Sequence, residues 1–367
     1  MKQINVALVG IGNCASALVQ GVQHYSRTEE QTVPGLLHRD LAGYTPADIR
    51  FVAAIDIDAR KVGQDLSKAI YSPPNCSFEI EKEVPPAGVP VVMGQVLDGV
   101  SDHTQNYAED ERIVLSREQE AAESDIVDLL RTSGADILVN YLPVGSEAAT
   151  GFYARCALQA GVGMVNCIPV FIASSQEWEQ RFRQAGLPII GDDIKSQVGA
   201  TILHLALVDL FRLRGVNIDR TYQLNVGGNT DFLNMLNKNR LASKKVSKSE
   251  AVQARFTNRL PKNKLHVGPS DYVPWLHDNK VAFMRVEGKG FGGAPIDIEL
   301  RLNVEDSPNS AGVVIDAIRC CKAALDRQIG GALDAASAFF CKHPPQQYGD
   351  EEARDRLESF LAGDLKN

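Results

Sequence analysis

Hydrophobic and polar positions change their period along this chain, and the changes mark its elements. Ile4-Asn-Val-Ala-Leu-Val9 is a short apolar run of buried-strand type. Gly10-Ile-Gly12-Asn-Cys-Ala15 follows and opens a helical pattern through Ala17, Leu18 and Val22. Phe51-Val-Ala-Ala-Ile-Asp56 reads as a second parallel strand ending in an acid, which makes residues of about 25–50 an insertion. Residues 72–117 are rich in Pro, Gly, Asp and Glu, and the pattern predicts few elements there. From Glu120 the rhythm is regular: a helix to Thr132, a strand Ala135–Asn140, and a helix Glu147–Ala160 closed by Gly161. A strand Met164–Ile168, a helix to Gln184 and a strand Leu187–Ile190 complete this part. Strand and helix alternating at this spacing predict a Rossmann-type doubly wound parallel sheet over residues 1–200.

The second half reads differently. A helix Val198–Arg214, closed by Gly215, leads into alternating segments Thr221–Val226, Lys280–Glu287 and Ile296–Val304. They predict an open, mostly antiparallel sheet in an α+β domain over 201–310. Ser307-Pro308 reads as N-cap and first residue of a helix with an apolar stripe through Val313, Ala317, Ile318, Cys321 and Leu325. Helices therefore occupy 311–367, ending in a charged surface helix from about Asp350.

Composition narrows the class. The 367 residues are 44% hydrophobic and 23% charged, ordinary for a two-domain globular protein. A net charge of −8 without a basic tract argues against nucleic acid or an anionic membrane as partner. No apolar run is long enough to span a bilayer, and the N-terminus opens directly into a strand. Seven cysteines without a CxxC pair suit reduced thiols in the cytoplasm, and the scattered histidines suggest no structural zinc site.

Four segments carry candidate chemistry. Gly10, Gly12 and Ala15, between strand and helix, form a fingerprint for a dinucleotide pyrophosphate, and Asp56 is placed to hold the adenosine ribose of NAD. The nearby Arg60 and Lys61 read as a solvated helix face. Asn140-Tyr141-Leu-Pro143 lies at the carboxyl edge of the parallel sheet, where ligands of such folds bind. Gly191-Asp-Asp193 and Lys195-Ser196 precede a helix, and Ser196 at its N-terminus suits a phosphate. Asn225-Val-Gly-Gly-Asn229-Thr-Asp231 is too polar for a core, and its glycine pair allows a close backbone approach. Ser247-Lys-Ser-Glu250 reads as a capping box, so Lys244 and Lys248 stand at a helix start suited to an anion. Two close ammonium groups would also depress the pKa of one, as a catalytic amine requires.

Taken together, these segments resemble the inositol-3-phosphate synthase family. The matching stretches are GIGNCASAL at Gly10, NYLPVGSE at Asn140, GDDIKSQVGAT at Gly191, NVGGNTDFLNM at Asn225, SKKVSKSE at Ser243 and EDSPNSAG at Glu305. The resemblance implies isomerisation of D-glucose 6-phosphate to an inositol phosphate, with NAD used catalytically. In outline, C5 is oxidised, the C6 enolate attacks the C1 aldehyde, and the returning hydride reduces C5. It implies that Lys244 and Lys342 serve O5, and that Lys248 and Lys280 serve O1 and the phosphate. Ser196, Lys195 and Asn229 hold substrate, Asp231 orients substrate and lysines, and Asp278 and Asp306 pair with the lysines. Asn13, Cys14, Tyr141, Pro143 and Asp193 join the cofactor side. It also implies a homotetramer and C-terminal helices packed on the dinucleotide domain, and it leaves room for an activating cation at acids such as Asp306.

Two rivals share the plan. A two-domain NAD-dependent dehydrogenase of the semialdehyde or homoserine type would release reduced cofactor, with Cys167 its nearest nucleophile. A non-enzymatic NAD sensor would not need so many lysines and acids.

Overall fold

In the computed structural model, which describes residues 2–28, 33–237, 240, 251–253, 256 and 259–364, two sheets share the chain. The first strands are β1 (Ile4–Val9), β2 (Ile49–Asp56), β3 (Val91–Met93), β4 (Ile137–Asn140), β5 (Gly163–Asn166) and β6 (Pro188–Ile190). After them come β7 (Asn217–Gly227), β8 (Leu265–Tyr272), β9 (Asn279–Lys289), β10 (Pro295–Glu305) and β11 (Gly331–Ala332). The helices are α1 (Asn13–Ser26), α2 (Leu66–Ala69), α3 (Glu123–Thr132), α4 (Glu147–Ala160) and α5 (Gln176–Gln184). They continue as α6 (Ala200–Leu213), α7 (Thr230–Asn234), α8 (Asp306–Asp326), α9 (Asp334–Phe340) and α10 (Asp350–Ala362).

The first sheet is parallel throughout, in the order β11-β6-β5-β4-β1-β2-β3. Successive strands are added to one side of β1 up to β3 and to its other side from β4 onward, and this switch opens a crevice at the carboxyl ends of the strands. Both faces of β1 are buried, because its side chains alternate between two helical layers. Ile4, Val6 and Leu8 pack with α1, α8 and α9, while Ala7 and Val9 pack with α3 and α4. A side chain as fully buried as Leu8 contributes on the order of 1.5–3 kcal/mol.

The second sheet runs β10-β9-β7-β8. β10, β9 and β7 pair antiparallel, while β8 lies parallel to β7. Its inner face, with Ala282, Met284 and Val286, packs against Ala200, Leu205, Val208 and Phe211 of α6.

Residues 33–45, in the first insertion, are bound to α8. The Arg319 guanidinium, fully buried, donates to the carbonyls of His38, Arg39 and Tyr44 and pairs with Asp316. Asp316 in turn accepts the Leu37 N–H at 2.8 Å.

Two expectations about helix starts are corrected. α8 begins at Asp306 with Glu305 as N-cap, so Ser307 and Pro308 lie inside its first turn. The reason is Asp278, whose carboxylate accepts both the Ser307 N–H (3.0 Å) and the Ser307 Oγ–H (2.9 Å) and so replaces a local cap. Similarly, α6 is capped by Gly199, which leaves Ser196 in the preceding turn. Among the described residues no helix is long and apolar enough to cross a membrane. All seven cysteines are unpaired.

Candidate active site

The glycine loop is shaped by what surrounds it. Gly10 adopts φ 85°, and a Cβ there would lie 2.6 Å from the Tyr141 carbonyl oxygen, so only glycine fits. Gly12 is the opposite case: a Cβ would meet nothing within 4 Å, and as N-cap of α1 it supplies no side-chain cap. The first-turn N–H groups of Asn13, Cys14 and Ala15 therefore begin a helix whose positive end is open to a phosphate.

Asp56 does not stand free at the end of β2. It accepts the N–H groups of Ile11 (2.6 Å), Ile57 (2.7 Å) and Asp58 (2.9 Å). The carbonyl of the same residue, on the following peptide, is held by Lys61 and Asn75. Lys61 Nζ donates to the Ile11 carbonyl at 2.8 Å and to Asn75 Oδ1 at 2.9 Å, and Asn75 Nδ2 donates to the Ile11 carbonyl at 3.0 Å. The reading of Arg60 and Lys61 as a solvated helix face is thus wrong. Residues 59–63 form turns, Lys61 is 3% exposed, and Arg60 is drawn onto the fully buried Asp58 carboxylate.

At the end of β4, Asn140 is buried and turns sideways. It donates to Asn166 Oδ1 at 2.9 Å, and Asn166 donates to Asp192 Oδ1 at 2.7 Å. Asp192 also accepts the N–H groups of Ile172, Ala173 and Ser174. Burial pushes the Asp192 carboxyl up to about 6 against these bonds. Asn140 and Asp192 therefore tie strand ends together, while Tyr141, Pro143 and Asp193 reach the cleft.

Among the described residues, two lysines of the cleft bond carboxylates directly. Asp193, at φ 62°, accepts from Lys342 Nζ at 2.7 Å, and Lys342 also donates to the Ile194 carbonyl at 2.7 Å. Lys280 lies 3.1 Å from Asp306. Burial opposes the charge on Lys280, but Asp306, Asp231 and Asp193 outweigh it and raise its pKa above the ordinary lysine value. It is a fixed cation.

Asp278, expected to pair with a lysine, instead bonds Asn229 Nδ2 at 2.9 Å and Ser307. Burial raises its carboxyl to about 7; Asp306 adds to the rise, and the bonds from Asn229 and Ser307 oppose it. Asn229 uses its other atom to cap α7, accepting the N–H groups of Asp231 (3.0 Å) and Phe232 (3.2 Å). The glycine pair before it approaches the protein itself. A Cβ on Gly227 would strike the Phe232 ring at 2.5 Å, and one on Gly228 would lie 2.5 Å from the His277 nitrogen.

Lys195 is buried and donates to the Ala338 carbonyl at 2.9 Å, with Asp350 at 3.8 Å. Lys244 and Lys248, and the capping box Ser247–Glu250, lie outside the described residues. Among the described residues no group of three or more His, Cys, Asp or Glu could hold a metal ion.

One continuous cleft runs past these groups. Gly12, Asp56, Lys195, Ser196, Asn229, Asp231, Lys280, Asp306 and Lys342 all line it. So do Lys61, Asn75, Gln223 and Asn225, which the sequence reading did not single out as ligands. The parity of β7 carried a signal for the last two, since Thr221, Gln223 and Asn225 share one strand face.

Residues 199–307 match the family model of myo-inositol-1-phosphate synthase. The chain is 53% identical to the inositol-3-phosphate synthase of Mycolicibacterium smegmatis, over 98% of each chain. It is 50% identical to that of Corynebacterium glutamicum, again over 98% of each. Among solved structures, a myo-inositol-1-phosphate synthase-related protein from Thermotoga maritima superposes with a TM-score of 0.82 at 24% identity, covering 98% of both chains, and so shares the fold.

Proposed function

The chain belongs to the inositol-3-phosphate synthase family, and we propose that it converts D-glucose 6-phosphate to 1D-myo-inositol 3-phosphate using NAD catalytically. The observation that carries this reading is that one cleft joins an open glycine loop to two lysine–carboxylate pairs. Cofactor binding alone needs no such pairs.

The residues fit a dinucleotide. The empty space at Gly12 and the uncapped start of α1 suit a pyrophosphate, and Ile57, Val100 and Ile113 offer an apolar surface beside Asp56 for the adenine ring. When bound, NAD supplies a hydride acceptor for C5 of the open-chain sugar and returns the hydride after ring closure. The protein's own groups manage protons and charge. Lys342, oriented by Asp193, exchanges the O5 proton together with Lys244. Lys280, fixed as a cation by Asp306, counters the charge that develops on O1 and on the phosphate, with Lys248 beside it. Asn229, Asp231, Ser196 and Lys195 position the sugar phosphate, and Asp278 holds the Asn229 loop against the start of α8.

In this reading residues 1–200 bind cofactor, 201–310 form the catalytic and assembly domain, and the C-terminal helices of 311–367 return to the first domain. The packing of α8 against α1 supports that last point. The outward face of the second sheet, where Phe283 is 42% exposed beside Arg285, is the surface we assign to a homotetramer contact. Unpaired thiols suit a cytoplasmic enzyme.

The dehydrogenase alternative has little to stand on. Cys167 is 5% exposed, and burial raises its pKa well above the ordinary thiol value, which argues against a nucleophilic role. The test is to incubate protein with glucose 6-phosphate and substoichiometric NAD and follow products by phosphorus NMR. Many turnovers to inositol phosphate without NADH accumulating are expected. NADH rising in step with substrate loss would mean a dehydrogenase, and binding without turnover would mean a sensor.

A further inference from the structure

Lys61 is buried, and among the described residues no carboxylate is in contact with it. Its two hydrogen bonds go to neutral oxygens, the Ile11 carbonyl and Asn75 Oδ1. An ammonium carries three N–H groups, so one has no partner among the described residues. Asp56 and Asp58 act on Lys61 only at a distance, since each is tied elsewhere: Asp56 to backbone N–H groups, Asp58 to Arg60 and Val114. A charge taken out of water in this way is costly unless a counter-charge arrives. Lys61 lines the same cleft as Gly12 and holds the peptide between the two fingerprint glycines.

We propose that Lys61 is the cation that receives the anionic phosphate at the adenosine side of the dinucleotide, with Asn75 as its positioning partner. This rests on the reading of the cleft as an NAD site. The ammonium then does two things at once. It fixes the Ile11 carbonyl, which sets the glycine loop, and it supplies a full positive charge where the helix start supplies only a partial one. Asn75 contributes from the Pro- and Gly-rich stretch 72–117, which gives that stretch a role at the cofactor. Asn75 Nδ2 also bonds the Ile70 carbonyl at 2.9 Å, and the neighbouring Cys76 N–H bonds Asn13 Oδ1 at 2.7 Å. The segment is thereby anchored at the loop and at the helix start.

The test compares ligands with and without the phosphates. Affinities of NAD, ADP-ribose and adenosine are measured by calorimetry for the wild type, Lys61→Gln and Lys61→Arg. Glutamine keeps a donor for the Ile11 carbonyl and drops the charge. The expected result is that Lys61→Gln weakens NAD and ADP-ribose tenfold or more and adenosine less than twofold, while Lys61→Arg recovers much of the loss. Equal weakening of all three ligands would reduce Lys61 to a loop support and overturn the proposal, as would unchanged NAD affinity. A wild type that binds neither NAD nor ADP-ribose would instead overturn the NAD reading and the proposal with it. Should Lys61→Gln fail to fold, the Lys61→Arg variant and the ionic-strength dependence of wild-type NAD binding test the charge instead. A wild-type affinity as insensitive to salt as that of adenosine would count against the charge.

Discussion

Around the glycine loop, charged and polar side chains bond mostly backbone; at Lys280 and Lys342 of the same cleft, they bond carboxylates. Asp56, Lys61 and Asn75 all close on the backbone of Ile11. Lys280 with Asp306, and Lys342 with Asp193, are side-chain pairs built from segments far apart in the chain. The adjacent residues Asp192 and Asp193 condense the contrast: the first is fully buried and staples loops, the second meets a lysine in the cleft. A group tied to backbone fixes a shape. A group tied to another ionisable group keeps a proton or a charge where a substrate can share it. On this account, substitutions around the loop should change binding or folding, and substitutions at the pairs should change turnover.

The largest effect is expected at Lys342. Lys342→Met should lower turnover roughly 10²–10⁴-fold, the range for loss of a positioned acid–base group. NAD affinity by calorimetry should stay within about twofold, since the comparison assigns this lysine to chemistry. Comparable losses of both would erase the distinction. Lys280→Met should cost about 10²–10³-fold, as for loss of one fixed charge-stabilising group, again with NAD binding preserved.

Next come the two glycines. Gly12→Ala should leave thermal unfolding unchanged, because nothing lies within 4 Å of the new methyl group, yet weaken NAD sharply. Gly10→Ala should lower stability by about 1–3 kcal/mol, because a positive-φ alanine there also meets the Tyr141 carbonyl. If both variants unfold alike, the cleft-facing role of Gly12 is wrong.

Arranged this way, the predictions also separate what was legible in the sequence from what was not. The strand, glycine loop and helix from Ile4 to Ser26 follow from local pattern, as does the strand–helix alternation from 123 to 190. β3 and β11 are three and two residues long, too short to show a period. β8 reads LHVGPSDY, and its Gly-Pro pair looks like a turn, so its parallel pairing with β7 was not foreseen. Lys61 sits in a string that looks solvated, and only the fold brings Ile11 and Asn75 to its ammonium. The residues of the pairs were visible in motifs, but the joining of Asp193 to Lys342 was not. It depends on the segment after α9 running back beside residues 192–194, with the Lys342 N–H on the Asp193 carbonyl.

A pH-dependent effect concerns Asp278, which bonds both backbone and side-chain partners. Its carboxyl titrates near 7 when folded, against 3.8 ordinarily, so the folded form holds the proton more tightly. Stability from this group is therefore greatest at low pH and falls as pH rises from about 4 to about 7, then levels off. Denaturant unfolding at pH 5 and pH 8 should show that decline in the wild type and a flatter one in Asp278→Asn. Identical slopes would place the titration elsewhere, for example at Asp192 or Asp316, whose carboxyls burial raises to about 6.

The central claim is that one cleft runs a closed redox cycle, and deuterium tests it most directly. Glucose 6-phosphate deuterated at C5 would be turned over with substoichiometric NAD, and the inositol phosphate analysed by mass spectrometry and NMR. The account predicts full retention of the label in the product over many turnovers, because the hydride that leaves C5 returns to it. Label found in released NADH, or replaced by hydrogen in the product, would contradict it.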